Sequence, residues 1–227
     1  MNILLSNNRW RFVITLVLTI CFSICRETDY STLLKPLPIL YWLIIAINCN
    51  KIKGGGWVIV SLSFAILGDI LLDLGDRWLQ LGSLPFLIST VILAFAFRQR
   101  LNNHDRLAAK RTILTVYAAV FSCFILLYLW ISSYTQEAAI IGAVLYLISA
   151  LLICTALNTT LAETSQSTYS SKAIIGFIGS CGIVANYVLY SIDLYVFPIP
   201  RDIVIQVYYW GTALVVWSFL KSDIAIE

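Results

Sequence analysis

Asp69 and Asp73 are the two residues whose type and spacing most clearly could do chemistry. They lie in the segment Leu67-Gly68-Asp69-Ile70-Leu71-Leu72-Asp73-Leu74-Gly75-Asp76, four positions apart and so on one face of a helix. Asp69 interrupts an apolar run, where an ionisable side chain is costly and is by default a functional candidate. A carboxyl withdrawn from water keeps its proton more readily, and two carboxyls one turn apart tend to divide into an acid and an ionised partner. The chemistry open to them is proton transfer. The proton could go to a bound substrate, or along a polar path between helices that conducts protons or a small solute.

Other polar residues share their depth. Ala65 and Ser61 extend the Asp69 face backwards, and Ser89 and Thr90 sit within the next apolar stretch. Gly179, Gly182, Asn186, Tyr190 and Asp193 form one helical stripe; Asp202, Gln206 and Tyr209 form another, with Tyr208 and Thr212 beside it. Lys35 opens an apolar stretch of its own. Plainer readings exist for several of these. Asp73, Asp76 and Arg77 also read as a solvated turn, and Asp193 and Asp202 as loop residues around Pro198 and Pro200. Lys35 also reads as a side chain snorkelling to headgroups, and Tyr208 and Tyr209 as an interfacial belt. The only histidine, His104, falls in a basic loop, which excludes a Ser-His-Asp or His-metal site inside the membrane. The six cysteines are scattered without CxxC spacing and read as packing residues. No metal or other cofactor is called for.

The elements that must position these groups follow from composition. Of 227 residues, 60% are hydrophobic and 12% charged, and the mean hydropathy is +0.87. A soluble domain carries roughly 25% charged residues, so lipid is the solvent for most of this chain. A net charge of +3 from 15 basic and 12 acidic residues leaves no basic domain for nucleic acid. A bilayer-crossing helix needs about 20 mostly apolar residues. Eight segments qualify: about 9–25, 33–49, 56–74, 78–98, 112–134, 137–157, 172–193 and 202–220. The expected architecture is all-α: one domain over residues 1–227, a polytopic membrane bundle of eight transmembrane helices. The first segment reads as an uncleaved anchor, since no small-residue cleavage site follows it. The Asn158-Thr159-Thr160 sequon reads as chance.

Lysine and arginine set the direction. Arg9, Arg11, Lys51, Lys53, Arg98, Arg100, Arg106, Lys110, Arg111, Lys172 and Lys221 fall on one side, and Arg26, Lys35, Arg77 and Arg201 on the other. Eleven against four predicts both termini in the cytoplasm. The third segment then runs outward from Gly56, and at 1.5 Å per residue Asp69 lies about 20 Å along it, in the outer half of the bilayer. The other polar stripes reach similar depth, and five helices converge there as a membrane-embedded cavity would require.

These residues resemble a known family. Lys35-Pro36-Leu37-Pro38 resembles the Lys-Pro-Leu element of the YhhN family of eight-helix membrane proteins, which includes the lysoplasmalogenases. Gly68-Asp69-Ile70-Leu71-Leu72 is similar to the family's central Gly-Asp motif. Leu81-Gly82-Ser83-Leu84-Pro85-Phe86-Leu87-Ile88-Ser89, with Ala96-Phe97, is similar to the helix after it. Ala185-Asn186 stands where many members have Ser-Asp, and Tyr208-Tyr209 matches an aromatic pair in the last helix. The order and spacing hold over nearly the whole chain. Three positions depart from the pattern. Thr90 stands where a histidine is usual, and Thr212 where a glutamine or histidine is usual. The seventh-helix aspartate corresponds to Asn186, or to Tyr187 if the register slips by one.

The resemblance implies a multi-pass protein, of the bacterial inner (plasma) membrane, that hydrolyses the vinyl ether of lysoplasmalogens to a fatty aldehyde and glycerophospho-choline or -ethanolamine. Its partners would be the lysophospholipid substrate and the bilayer. In that reading Asp69 is the general acid and Asp73 its ionised partner. Asn186, Tyr208 and Thr212 orient water or headgroup, Thr90 and Tyr209 line the substrate site, and Lys35 attracts the phosphate. Two other classes fit the same residues: a lipid-binding relative that kept the fold and lost the chemistry, and a small proton or solute transporter built on Asp69.

Overall fold

In lipid every backbone amide must find its partner within the protein, and apolar runs of this length satisfy them as helices. A computed structural model of the chain describes residues 8–26, 30–74, 79–101, 110–134, 139–164 and 170–221. Its helices are α1 (Asn8–Cys25), the single turn α2 (Ser31–Leu34), α3 (Leu37–Asn48), α4 (Gly55–Asp73) and α5 (Leu79–Arg100). They continue as α6 (Lys110–Ser132), α7 (Ala139–Thr164), α8 (Ser170–Tyr195) and α9 (Arg201–Phe219). The all-helical, multi-pass membrane architecture is thereby established. Among the described residues, six stretches are long and apolar enough to cross a bilayer: α2 with α3, then α4, α5, α6, α7 and α8. The helices α1 and α9, of 18 and 19 residues, are not among those six. They pack against each other and against α3.

Two boundaries differ from expectation, each for a physical reason. The second segment is broken: α2 ends at Leu34, and α3 begins only after Lys35 and Pro36. Proline has no amide hydrogen to donate and its ring crowds the preceding turn. The sixth segment was expected to end near 157, yet α7 continues to Thr164. Hydroxyls stabilise that extension. Thr159 donates to the Phe97 carbonyl at 3.1 Å and Thr160 to the Ala173 carbonyl at 3.0 Å. Both threonines of the sequon are therefore buried within a helix.

The bundle is ordered around two intimate helix pairs. At the α8–α9 crossing, a Cβ on Gly179 would lie 2.7 Å from the Gly211 carbonyl oxygen, and one on Gly211 would lie 2.8 Å from the Ile183 nitrogen. Only glycine permits that approach, as at small-residue contacts in membranes generally. The α4–α5 pair is similar: a Cβ on Gly68 would lie 2.6 Å from the Phe86 ring. By contrast α6 is peripheral, with only 6% of its Thr115–Ser132 stretch buried. It packs chiefly on α7.

Interactions segregate to the two ends as the charge asymmetry requires. At the basic end the chain is stitched together: Ile52 N–H donates to the Phe219 carbonyl (2.9 Å) and Lys221 N–H to the Asn50 carbonyl (2.8 Å). Arg100, counted from sequence as a loop cation, is instead a buried structural group. It pairs with Glu163, donates to the Ser218 carbonyl at 3.0 Å and lies over the Phe219 ring. The Lys172 ammonium donates to the Leu220 carbonyl. The opposite end holds the Arg26–Asp202 (3.1 Å), Arg201–Asp193 (3.5 Å) and Lys35–Asp73 (3.6 Å) pairs.

Candidate active site

The α4–α5 and α8–α9 pairs bring together most of the residues singled out by sequence. Ser61, Ala65 and Asp69 descend one face of α4 and all three are buried. Asp69 is 3% exposed, and its Oδ2 has no hydrogen-bond partner. Lys35, Asp73, Tyr187, Tyr208 and Tyr209 are its electrostatic neighbours. A charged carboxylate with an unpaired oxygen in such surroundings is expensive, so the arrangement suits the protonated acid.

One turn further along α4, Asp73 has the opposite environment. Ser31 Oγ donates to it at 3.3 Å, the Thr32 hydroxyl donates to the same oxygen, and Lys35 Nζ stands 3.6 Å from the other. Three donors converge on one carboxyl, which suits an ionised, acceptor-only group. The helix break places them. The turn of α2 presents Ser31, Thr32 and Lys35 towards the end of α4. Tyr209 fixes the break from α9, its hydroxyl donating to the Lys35 carbonyl at 2.6 Å.

Beside Ala65, one turn beneath Asp69, lies a small pocket of about 20 Å³ whose largely apolar lining also includes Ser61, Ser89, Thr90, Tyr187, Tyr208 and Thr212. The Ser61 and Ser89 hydroxyls are 2.9 Å apart. Thr90 Oγ1 donates to the Phe86 carbonyl (2.7 Å) and shares a hydrogen bond with Tyr187 OH (2.9 Å). Tyr208 OH and Thr212 Oγ1 are buried with no protein partner. Phe86 walls this region, its ring meeting those of Tyr187 and Tyr208 edge-on at 6.5 and 5.8 Å.

Asn186 is placed differently from the others. Its Nδ2 donates to the Val204 carbonyl at 2.8 Å, tying α8 to α9, and the pocket instead receives the next residue, Tyr187. Gln206 likewise turns away from the pocket, towards Ser23 of α1 (3.3 Å). Asp193 and Asp202 belong to ion pairs at the same end as the Lys35–Asp73 pair. Asp76, Arg77 and His104 lie outside the described residues. Ser31 and Thr32 were not anticipated, since two hydroxyls before a Lys-Pro pair carry no periodic signal. Their i, i+4 and i, i+3 relation to Lys35 was the only clue.

A sequence model of the YhhN family matches residues 30–219. That match begins at α2 and ends at the last residue of α9, taking in every residue of the pocket and of the Lys35–Asp73 pair. The chain belongs to the YhhN family. No curated protein and no solved structure matches it.

Proposed function

We propose that this YhhN-family protein is a lysoplasmalogenase-type hydrolase, cleaving the vinyl ether of a lysophospholipid at the outer half of the membrane. The observation that carries the reading is Asp69: a buried carboxyl with an unpartnered oxygen, one helical turn beneath a Lys–Asp pair at the headgroup end. The family resemblance supplies the substrate class.

The reaction fits the residues. Asp69 donates its proton to the alkene carbon remote from the ether oxygen, leaving an oxocarbenium ion on the carbon that bears that oxygen. Water adds there to form a hemiacetal, and the surplus proton returns to the Asp69 carboxylate. Collapse of the hemiacetal breaks the carbon–oxygen bond, releasing the fatty aldehyde and the glycerol hydroxyl. One water is consumed and the acid is regenerated. The Asp73 carboxylate, in charge range of Asp69, stabilises the developing cation. Lys35 would take the substrate phosphate as a point charge. Its partner Asp73 stands one helical turn, roughly 6 Å of helix rise, beyond the acid on α4, which is the scale of the glycerol unit between a phosphate and its sn-1 ether.

The test is aldehyde release from a lysoplasmenyl lipid by the purified protein, with Asp69→Asn as control. Release by the parent protein and its loss in the variant support the reading. Lipid copurification without turnover would favour a lipid-binding relative, and substrate-independent proton flux into liposomes would favour a transporter.

A further inference from the structure

Six hydroxyl-bearing residues stand among the apolar ones that line the pocket beneath Asp69, but their hydroxyls are not equally occupied. Threonines inside these helices commonly bond the carbonyl four residues back: Thr15 to Arg11, Thr90 to Phe86, Thr155 to Leu151, Thr159 to Thr155 and Thr160 to Ala156. That is the usual resort of a hydroxyl in an apolar helix. Thr212 is an exception. It is 4% exposed, its Oγ1 has no protein partner, and it lines the pocket. Tyr208, one turn away on the same face of α9, is its neighbour in the pocket wall and its OH is also unpartnered. A buried hydroxyl left without a partner is costly. The pocket volume of about 20 Å³ exceeds the ~10–15 Å³ that one water needs. Thr212 and Tyr208, with the Ser61–Ser89 pair in the same wall, are the polar groups available for the two to four contacts such a water requires.

We infer that this pocket is a binding site for one water molecule, held by Thr212 Oγ1 and Tyr208 OH. It is stored directly below Asp69, since Ala65, one turn beneath Asp69 on α4, lines the same pocket. A hydrolysis among apolar helices is served by a water held close to the acid. Resting on the hydrolase reading, this is the water that adds to the oxocarbenium carbon. Thr212 is then a positioning residue that acts through it.

X-ray radiolytic footprinting of the full chain in nanodiscs tests the site independently of activity, because radicals form wherever water is bound. Tyr208 should be modified several-fold faster than Trp42 and Phe97, which are fully buried and outside the pocket. Thr212→Val keeps the shape and removes the oxygen. It should lower Tyr208 modification several-fold and lower kcat with KM unchanged, and Thr212→Ser should restore both. Tyr208 modification no faster than that of Trp42 would overturn the water site. Unchanged kcat in a correctly folded Thr212→Val protein would overturn the assignment of that water to the reaction. Fast Tyr208 modification in a protein that never releases aldehyde would leave the water site supported and remove the hydrolase reading alone.

Discussion

Tyr187 and Thr90 share a 2.9 Å hydrogen bond that joins α8 to α5 across the pocket. Thr90 stands where the resemblance has a histidine, and Tyr187 is the neighbour of Asn186 that the structure turns into the pocket. Of the departing positions, Thr90 is thus in contact with Tyr187 and not with Asn186. Thr90→His with Tyr187→Asp exchanges bulk between touching positions, and aldehyde release should show coupling between the two changes, as expected of residues sharing a site. Thr90→His with Asn186→Asp should give independent effects. A double-mutant cycle on turnover checks both.

Asp69 should carry activity and not stability. Neutralising a buried carboxyl removes its desolvation burden, so Asp69→Asn should insert normally and melt at or slightly above the parent temperature. Aldehyde release should be lost. Thermal unfolding in detergent, run beside the turnover assay, reads both.

Lys35→Met should act on substrate binding. The Lys35–Asp73 pair is partly exposed, with side chains 16% and 22% accessible, and such pairs are worth about 0–1 kcal/mol, so stability should change little. KM for the lysophospholipid should rise while kcat is largely kept, which a substrate titration measures. An unchanged KM would remove Lys35 from phosphate recognition.

The buried ion pair at the basic end should behave in the opposite way. Arg100 and Glu163 are 3% and 17% exposed, and removing one partner of such a pair costs about 3–5 kcal/mol. Glu163→Ala should lower the melting temperature strongly. In protein that still folds, KM should stay at the parent value, since the pair lies at the end remote from Asp73.

Topology is checked by a reporter fused after Glu227. With both termini inside, and α1 and α9 crossing along with the six long apolar stretches, it should report the cytoplasm. Activity on the opposite side would also overturn the placement of Asp69 in the outer half.

The bilayer made much of this legible. Apolar runs had to be helices, and Asp69 was visible because a carboxyl within such a run has no bland explanation. Ser61 and Ala65 followed from helical spacing. Asn186 was harder. The stripe through Gly179 and Gly182 correctly turns it towards α9, but the pocket lies one residue, about 100°, further round the helix, so Tyr187 enters it. Arg100 was indistinguishable from a loop cation because its partner, Glu163, lies 63 positions away. Helix spacing within one segment carries no trace of such a pairing.

The contribution of α9 bears on how the protein is made. Chains emerge amino-terminal end first, so α1 to α8 are synthesised before Tyr208, Tyr209 and Thr212 exist. Until the last helix arrives, nothing holds the Lys35 carbonyl, the pocket lacks a wall, and Asn50 and Ile52 lack their backbone partners at Lys221 and Phe219. Biosynthesis thus has a single closing event. A chain stopped before α9 would lack the pocket wall that Tyr208 and Thr212 supply and the bond that holds the Lys35 carbonyl.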